Sequence, residues 1–295
     1  MSSTVDLSSA EGRVPHQTAT MSPTRRIALG VSYLGCQYLG WQSQPNGRTV
    51  QDHLERALGQ FATHPVKVMC AGRTDTGVHG INQVVHLDTP LSREPFSWVR
   101  GTNRYLPHDI AVQWSMEVPQ AFHARNSAKG RRYAYIVLES PVKPALEHGR
   151  VGWSFRPLDG PAMQAAADLL LGEHDFSSFR SSECQSPTPV KTIRKLQVTR
   201  HGQYWRFEFE ASAFLHHMVR NIMGCLIAVG AGSRPAAWVS EVLAARSRDA
   251  AAPTFAADGL YFLTPEYDEG WGLPQELAGM GWLPGGLQPF GHRQF

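Results

Sequence analysis

Cys70-Ala-Gly-Arg-Thr-Asp75-Thr-Gly-Val-His-Gly80 lies between an apolar run, Val66 to Met69, and an alternating run, Ile81 to Leu87. The flanks read as strands, so the stretch is a strand–loop–strand unit. Gly72, Gly77 and Gly80 let the connection turn sharply, because glycine accepts backbone angles that other residues avoid. Such a loop can hold Asp75 in an unusual pose beside Arg73 and His79. Taken alone, it is more simply a hairpin-like turn whose Asp bonds its own backbone.

On either side of this unit the chain repeats a pattern. Ile27, Leu29, Val31 and Tyr33 alternate as in a half-buried strand, and Val50, Leu54, Ala57, Leu58 and Phe61 recur at helical spacing. After the loop, a helix is predicted from Phe96 to Leu106, stopped by Pro107, and alternation returns from Ile110 to Val118. The order β-α-β-β-α-β is the split, ferredoxin-like arrangement. A second pass starts after Pro119, with strands at Tyr133–Leu138, Val190–Val198, Tyr204–Ala211 and Leu260–Leu263. Its helices are predicted at Ala162–Leu171, Phe214–Val229 and Trp238–Ala245.

The predicted fold is therefore α+β. Two similar ferredoxin-like (βαββαβ, RRM-like) halves, residues 24–119 and 120–264, form one extended mixed/antiparallel sheet with a central cleft. Residues 1–23, rich in Ser and Thr, are expected to be a disordered extension. Residues 265–295, rich in Gly and Pro, are expected to be an irregular tail.

Composition narrows the function classes. Lys and Arg outnumber Asp and Glu by 28 to 25 in 295 residues, a net charge of +3 that is too small to establish nucleic-acid binding. The four cysteines are scattered without a CxxC pair, which argues against a zinc finger or disulfide framework and fits a reducing cytosol. The most apolar stretch, Phe214 to Ala231, carries His216, His217, Arg220 and Asn221 and falls short of the roughly 20 apolar residues of a membrane span. A soluble, cytoplasmic protein is expected.

Two further segments could carry chemistry. In the helix predicted from Phe214, Arg220 stacks with His216, Gly224 and Ile227 on one side. A guanidinium on so apolar a helix either snorkels to the edge or has an anionic partner, for which Asp75 is a candidate. Gly224, one turn on, would let another backbone approach. The segment Phe122 to Tyr135 carries Arg125, Lys129, Arg131 and Arg132, no acid, and then Tyr133 and Tyr135. Cations there can neutralise phosphates while an aromatic face stacks on a base; a solvated basic loop entering an ordinary strand is the plainer reading. Tyr133 and Tyr135 project from the same strand face. The histidines lack metal-site spacing such as HExxH, Gly77 is not followed by the Lys of a phosphate loop, and no dinucleotide fingerprint is found.

Gly72-Arg-Thr-Asp-Thr-Gly-Val-His79 closely resembles the signature of the tRNA pseudouridine synthase A family. So do, in the same order, Tyr38-Leu-Gly-Trp-Gln42, Thr49-Val-Gln51, Leu106-Pro-His-Asp-Ile110, Phe122-His-Ala-Arg125, Arg132-Tyr-Ala-Tyr135, His174-Asp-Phe176, Phe214 to Ile222 and Gly259-Leu-Tyr261. The resemblance implies isomerisation of uridine to pseudouridine at positions 38–40 of the tRNA anticodon stem-loop, without cofactor or metal. It implies Asp75 as the catalytic nucleophile, Tyr133 stacked on the target base with a possible part in proton transfer, and Arg220 ion-paired to Asp75. Arg73 would hold the flipped nucleotide. His79 and the cations Arg125, Lys129, Arg131 and Arg132 complete the expected substrate-binding group. The resemblance also implies a homodimer with tRNA across both subunits. Two other readings compete: a catalytically silent RNA-binding module of RRM type, and a metal-dependent hydrolase built on Asp75, His79 and further carboxylates.

Overall fold

A computed structural model describes residues 24–274. Its first half contains β1 (Arg25–Tyr33), α1 (Val50–Ala62), β2 (Met69–Cys70), β3 (His79–Thr89), α2 (Pro95–Asn103) and β4 (Ile110–Val118). Its second contains β5 (Gly130–Glu139), β6 (Gly152–Ser154), α3 (Gly160–Asp168), β7 (Gly172–Asp175), β8 (Val190–His201), β9 (Tyr204–Ala211), α4 (Met218–Gly230), α5 (Trp238–Ala245) and β10 (Leu260–Glu266). The strands form one mixed sheet in the order β4-β1-β3-β10-β5-β9-β8-β7, with β2 on β3 and β6 on β5. Each half has the ferredoxin-like order, β4-β1-β3-β2 and β10-β5-β9-β8.

The last strand closes the sheet. β10 pairs in parallel with β3, Tyr261 opposite His79 and Phe262 opposite Gly80, and antiparallel with β5 on its other edge. It shares the free edge of β3 with β2, which pairs only at His86 and Val85. Because β2 is so short, the chain leaves this edge after Cys70 and makes room for β10. The loop 71–78 consequently rises at the junction of the two halves.

Local sequence explains the elements around that junction. α1 begins at a capping box: the Thr49 side chain accepts from the Asp52 N–H, and the Asp52 carboxylate accepts from the Thr49 N–H. Its apolar stripe, Val50, Leu54, Ala57 and Leu58, is buried against Leu29, Val31 and Val85 of the sheet. In the second half, α3, α4 and α5 cover Tyr133, Tyr135, Phe207 and Phe209. Both helical layers lie on one face, since Tyr33 of the first core pairs with Gly80, whose neighbour Phe262 belongs to the second core. The other face is closed by Val151 beneath Ile136 and Tyr261, and by Phe122, Tyr267, Trp271 and Leu273 beneath Ala28 and Val84.

Several boundaries differ from the sequence reading. The helix predicted from Phe214 starts at Met218, because His217 adopts a left-handed conformation with φ of 62°. The strand expected over Val66–Met69 shrinks to Met69–Cys70, and β6 and β7 are additional. β10 continues through Pro265 to Glu266, and the packing of Tyr267, Trp271 and Leu273 orders the start of the segment expected to be irregular from residue 265. The expected N-terminal extension and the rest of the tail lie outside the described residues. Among the described residues no helix is long and apolar enough to cross a membrane.

Candidate active site

The loop that carries Asp75 is tied down at each step. Arg131 donates to the Ala71 carbonyl at 3.0 Å, and the Gln83 amide bonds both backbone groups of Gly72. The Thr74 carbonyl accepts from the Trp41 N–H at 3.0 Å, and the Thr74 hydroxyl meets the Tyr33 hydroxyl at 2.8 Å. Gly40, at φ +82°, lies so close that a Cβ there would sit 2.7 Å from the Thr74 carbonyl oxygen. Gly77, at φ +83°, turns the chain back into β3. The Asp75 side chain points outward from these anchors and is 21% exposed.

Three basic groups from the other half converge on that carboxylate. The His216 Nε2 lies 3.3 Å from Oδ1, the His217 Nε2 3.5 Å from Oδ2, and the Arg220 Nη1 3.4 Å from Oδ2. Arg220 is aimed by its Nε, which donates to the Phe255 carbonyl at 2.9 Å. The segment bearing Phe255 reaches α4 because Gly224 has no side chain: a Cβ there would lie 2.2 Å from the Pro253 carbonyl oxygen. The close approach expected at Gly224 is thus present. Burial opposes ionisation of Asp75, but the His216 hydrogen bond and the His217, His216 and Arg220 charges outweigh it, holding the carboxyl below its usual range. The same hydrogen bond raises the pKa of His216, whereas burial lowers that of His217.

An aromatic floor lies beside the carboxylate. Tyr133 is 8% exposed, with Phe214 edge-on at 5.0 Å and Phe262 at 5.1 Å between ring centroids. Burial, reinforced by the Asp75 charge, raises its pKa far above that of a free phenol. Tyr135 shares the same face but is fully buried, its hydroxyl donating to the Ala256 carbonyl at 2.6 Å. Arg73 is exposed on the loop and reaches Gln185 Oε1 at 3.5 Å.

The remaining expected contacts divide. Arg125 is exposed at the edge of the basic segment. Lys129 is also exposed but ion-paired with Asp268. Arg131 is a strut rather than a surface cation: its guanidinium donates to the carbonyls of Ala71, Arg125, Ala128 and Ser212. Arg132, its neighbour in β5, alternates to the face opposite Tyr133. His79 does not face the site either. It is 1% exposed, its Nδ1 accepts from the Gly35 N–H and its Nε2 donates to the Asp258 carbonyl, each at 2.9 Å. Both ring nitrogens are engaged in holding β3, so His79 is a structural pin and not a substrate contact.

A model of the family described as tRNA pseudouridine synthase matches residues 30–126 and 166–268. The chain belongs to the tRNA pseudouridine synthase family. The tRNA pseudouridine synthase A of Methylibium petroleiphilum is 66% identical over 259 residues, covering 88% of this chain and 100% of the relative. That of Paracidovorax citrulli is 64% identical over 277 residues with the same coverage. Asp75, His216, His217 and Arg220 all fall within the segments that match the synthase family, whereas Tyr133 falls between them.

His216 and His217 were not singled out by sequence reasoning as site residues. The signal was present as an adjacent pair just before Arg220. It was masked because adjacent residues on a regular helix diverge. The left-handed turn at His217 instead brings the two rings to 4.0 Å.

Proposed function

We propose that this chain isomerises uridine to pseudouridine in tRNA, at positions 38–40 of the anticodon stem-loop, as a cytoplasmic homodimer. The observation that carries the reading is a single carboxylate, Asp75, kept ionised by a guanidinium and two imidazoles beside a tyrosine floor. The reaction needs such a group. The bond from N1 to C1′ breaks, the uracil turns, a bond from C5 to C1′ forms, C5 loses a proton and N1 gains one. No electrons are exchanged with a second reactant, so the balance requires no cofactor. A carboxylate that attacks and leaves again divides one hard step into two easier ones, and Asp75 is assigned that role. Attack at C1′, attack at C6 and a glycal route are all compatible with it.

The other residues supply what the detached base requires. Tyr133, with Phe214 beside it, offers a flat apolar surface that retains the uracil while it turns. Arg220 keeps Asp75 charged, which favours reactivity over stability, because ion pairs removed from water gain little on balance. Arg73 and Arg125 are exposed cations suited to the nucleotide phosphates. A uridine in a stem must leave the stack to reach Asp75, at roughly a few kcal/mol.

Pseudouridine mapping in tRNA treated with wild-type and Asp75→Ala protein tests the proposal. Modification at positions 38–40 is expected from the wild type only. Product formed by the mutant would remove Asp75 from its role. A silent RNA-binding module would bind tRNA but release no tritium from C5-labelled uridine.

A further inference from the structure

The three side chains at the centre of the site are also a metal-ligand set. We propose that Asp75, His216 and His217 capture a borderline divalent transition metal, Zn2+ foremost, and that the metal-bound protein is an inhibited form. One carboxylate oxygen and one imidazole nitrogen from each histidine all lie within 4.8 Å of one another. Zinc bonds to nitrogen and oxygen at about 2.0–2.2 Å, which places tetrahedral ligands about 3.3–3.5 Å apart. Asp75 Oδ1 to His216 Nε2 is 3.3 Å, and Asp75 Oδ2 to His217 Nε2 is 3.5 Å. Each imidazole therefore already stands at that separation from one oxygen of the same carboxylate, His216 from Oδ1 and His217 from Oδ2.

The backbone is shaped to present both imidazoles together. His217 has φ of 62°, a conformation that non-glycine residues adopt at a cost of about 1 kcal/mol or more. Its effect is to bring the rings of His216 and His217 side by side, tilted by 39° and 4.0 Å between centroids. The His216 backbone is fixed as well, its carbonyl accepting from the Ser181 N–H at 3.0 Å and its N–H meeting the Cys184 sulfur at 3.4 Å.

Ligand chemistry selects the ion. Two imidazoles and one carboxylate suit zinc, nickel or copper, whereas Mg2+ and Ca2+ prefer all-oxygen shells. Side-chain exposures of 33%, 29% and 21% leave solvent access for entry and for water in the open coordination positions. Arg220 opposes the cation and shares Oδ2 with His217, so the metal must take that oxygen from the guanidinium or bind through Oδ1 on the His216 side. The ligands come from two loops far apart in sequence, so no spacing motif announces them. Metal capture does not depend on Asp75 being catalytic; the inhibition rests on that proposed role.

The test uses untagged full-length protein, stripped with EDTA and dialysed against Zn2+ or Mg2+. One Zn2+ per chain is expected by elemental analysis and calorimetry, with no Mg2+ retained. Asp75→Asn, His216→Ala and His217→Ala should each weaken Zn2+ binding at least tenfold, with melting curves confirming folded variants. Equal binding by the wild type and two folded variants would overturn the site. Tritium release from C5-labelled tRNA should stop when Zn2+ binds and return with EDTA. Zn2+ bound stoichiometrically without inhibition would overturn the inhibitory role. Protein that binds Zn2+ through these residues but is inactive even with EDTA would sink the catalytic reading and leave the metal site standing.

Discussion

Arg220 bridges the two halves of the molecule: its Nη1 lies 3.4 Å from Asp75 Oδ2 while its Nε donates to the Phe255 carbonyl at 2.9 Å. One planar group serves both contacts, so its geometry as well as its charge is used. Lysine has one nitrogen and no fork, and cannot make both contacts in the same directions. Arg220→Lys should therefore lower turnover roughly 10- to 100-fold, the equivalent of losing one charged hydrogen bond at about 1.5–3 kcal/mol. Initial rates of tritium release check this, and a wild-type rate would remove the ion pair from the mechanism.

Gly224 acts on the same contact from a distance. A methyl group there would meet the Pro253 carbonyl oxygen at 2.2 Å, so the 252–255 segment must move away from α4. Phe255 lies in that segment and orients Arg220. Gly224→Ala is expected to lower stability by about 1–3 kcal/mol through overpacking. It should also lower turnover without raising KM. Denaturant melts and steady-state kinetics measure the two effects separately.

These relationships show what the sequence could and could not disclose. A guanidinium on an apolar helix demands an anion, which made Arg220 and Asp75 legible as a pair. The alternation of β1 and β4 and the helical spacing of Val50, Leu54, Ala57 and Leu58 marked their elements directly. The placement of β10 was hidden, because it pairs with β3 through only Tyr261 and Phe262, too short a register to leave a pattern. A helical reading that began at Phe214 also hid the turn at His217, and with it both histidines facing Asp75. Cation density misled in the basic segment. Alternation along β5 separates Arg131 from Arg132, and the carbonyls that occupy Arg131 come from four places in the chain.

Tyr133 tests the difference between a surface and a proton carrier. Tyr133→Phe keeps the ring against Phe214 and Phe262 and removes only the hydroxyl. If the hydroxyl takes part in the proton transfer from C5, turnover falls while tRNA affinity stays within about twofold, because phosphate contacts dominate binding. Full activity would confine Tyr133 to stacking. Gel-shift affinities and single-turnover rates on the same preparations separate these outcomes.

His79 should behave as a structural residue. Its imidazole joins Gly35 to Asp258 and stacks on Tyr261 at 4.6 Å. His79→Ala leaves a buried donor and a buried acceptor without partners and opens a cavity, a loss of about 3 kcal/mol or more. The expected result is a lower denaturation midpoint with near-normal KM for the fraction that remains folded. A specific rise in KM with unchanged stability would return His79 to the substrate-binding group.

His86 makes the fold sensitive to mild acid. Its Nδ1 accepts from the Ala124 N–H, and its ring is 7% exposed beside Phe122 and His123. Burial, with smaller contributions from Arg26 and His123 and against the pull of Asp88, lowers its pKa to about 4. In the unfolded chain the value is about 6.5. Above that pH both states are neutral and the stabilisation is fully present. As pH falls from 6.5 toward 4 the unfolded chain takes up a proton that the folded state refuses, so stability declines. Once pH has fallen through 4 the loss is complete, at roughly 3 kcal/mol. His86→Gln keeps an acceptor for Ala124 without titrating. Melting temperatures from pH 7 to pH 4.5 should fall more steeply for the wild type than for the variant, so that the gap between them shrinks. Parallel curves would show that the acid sensitivity arises from other groups.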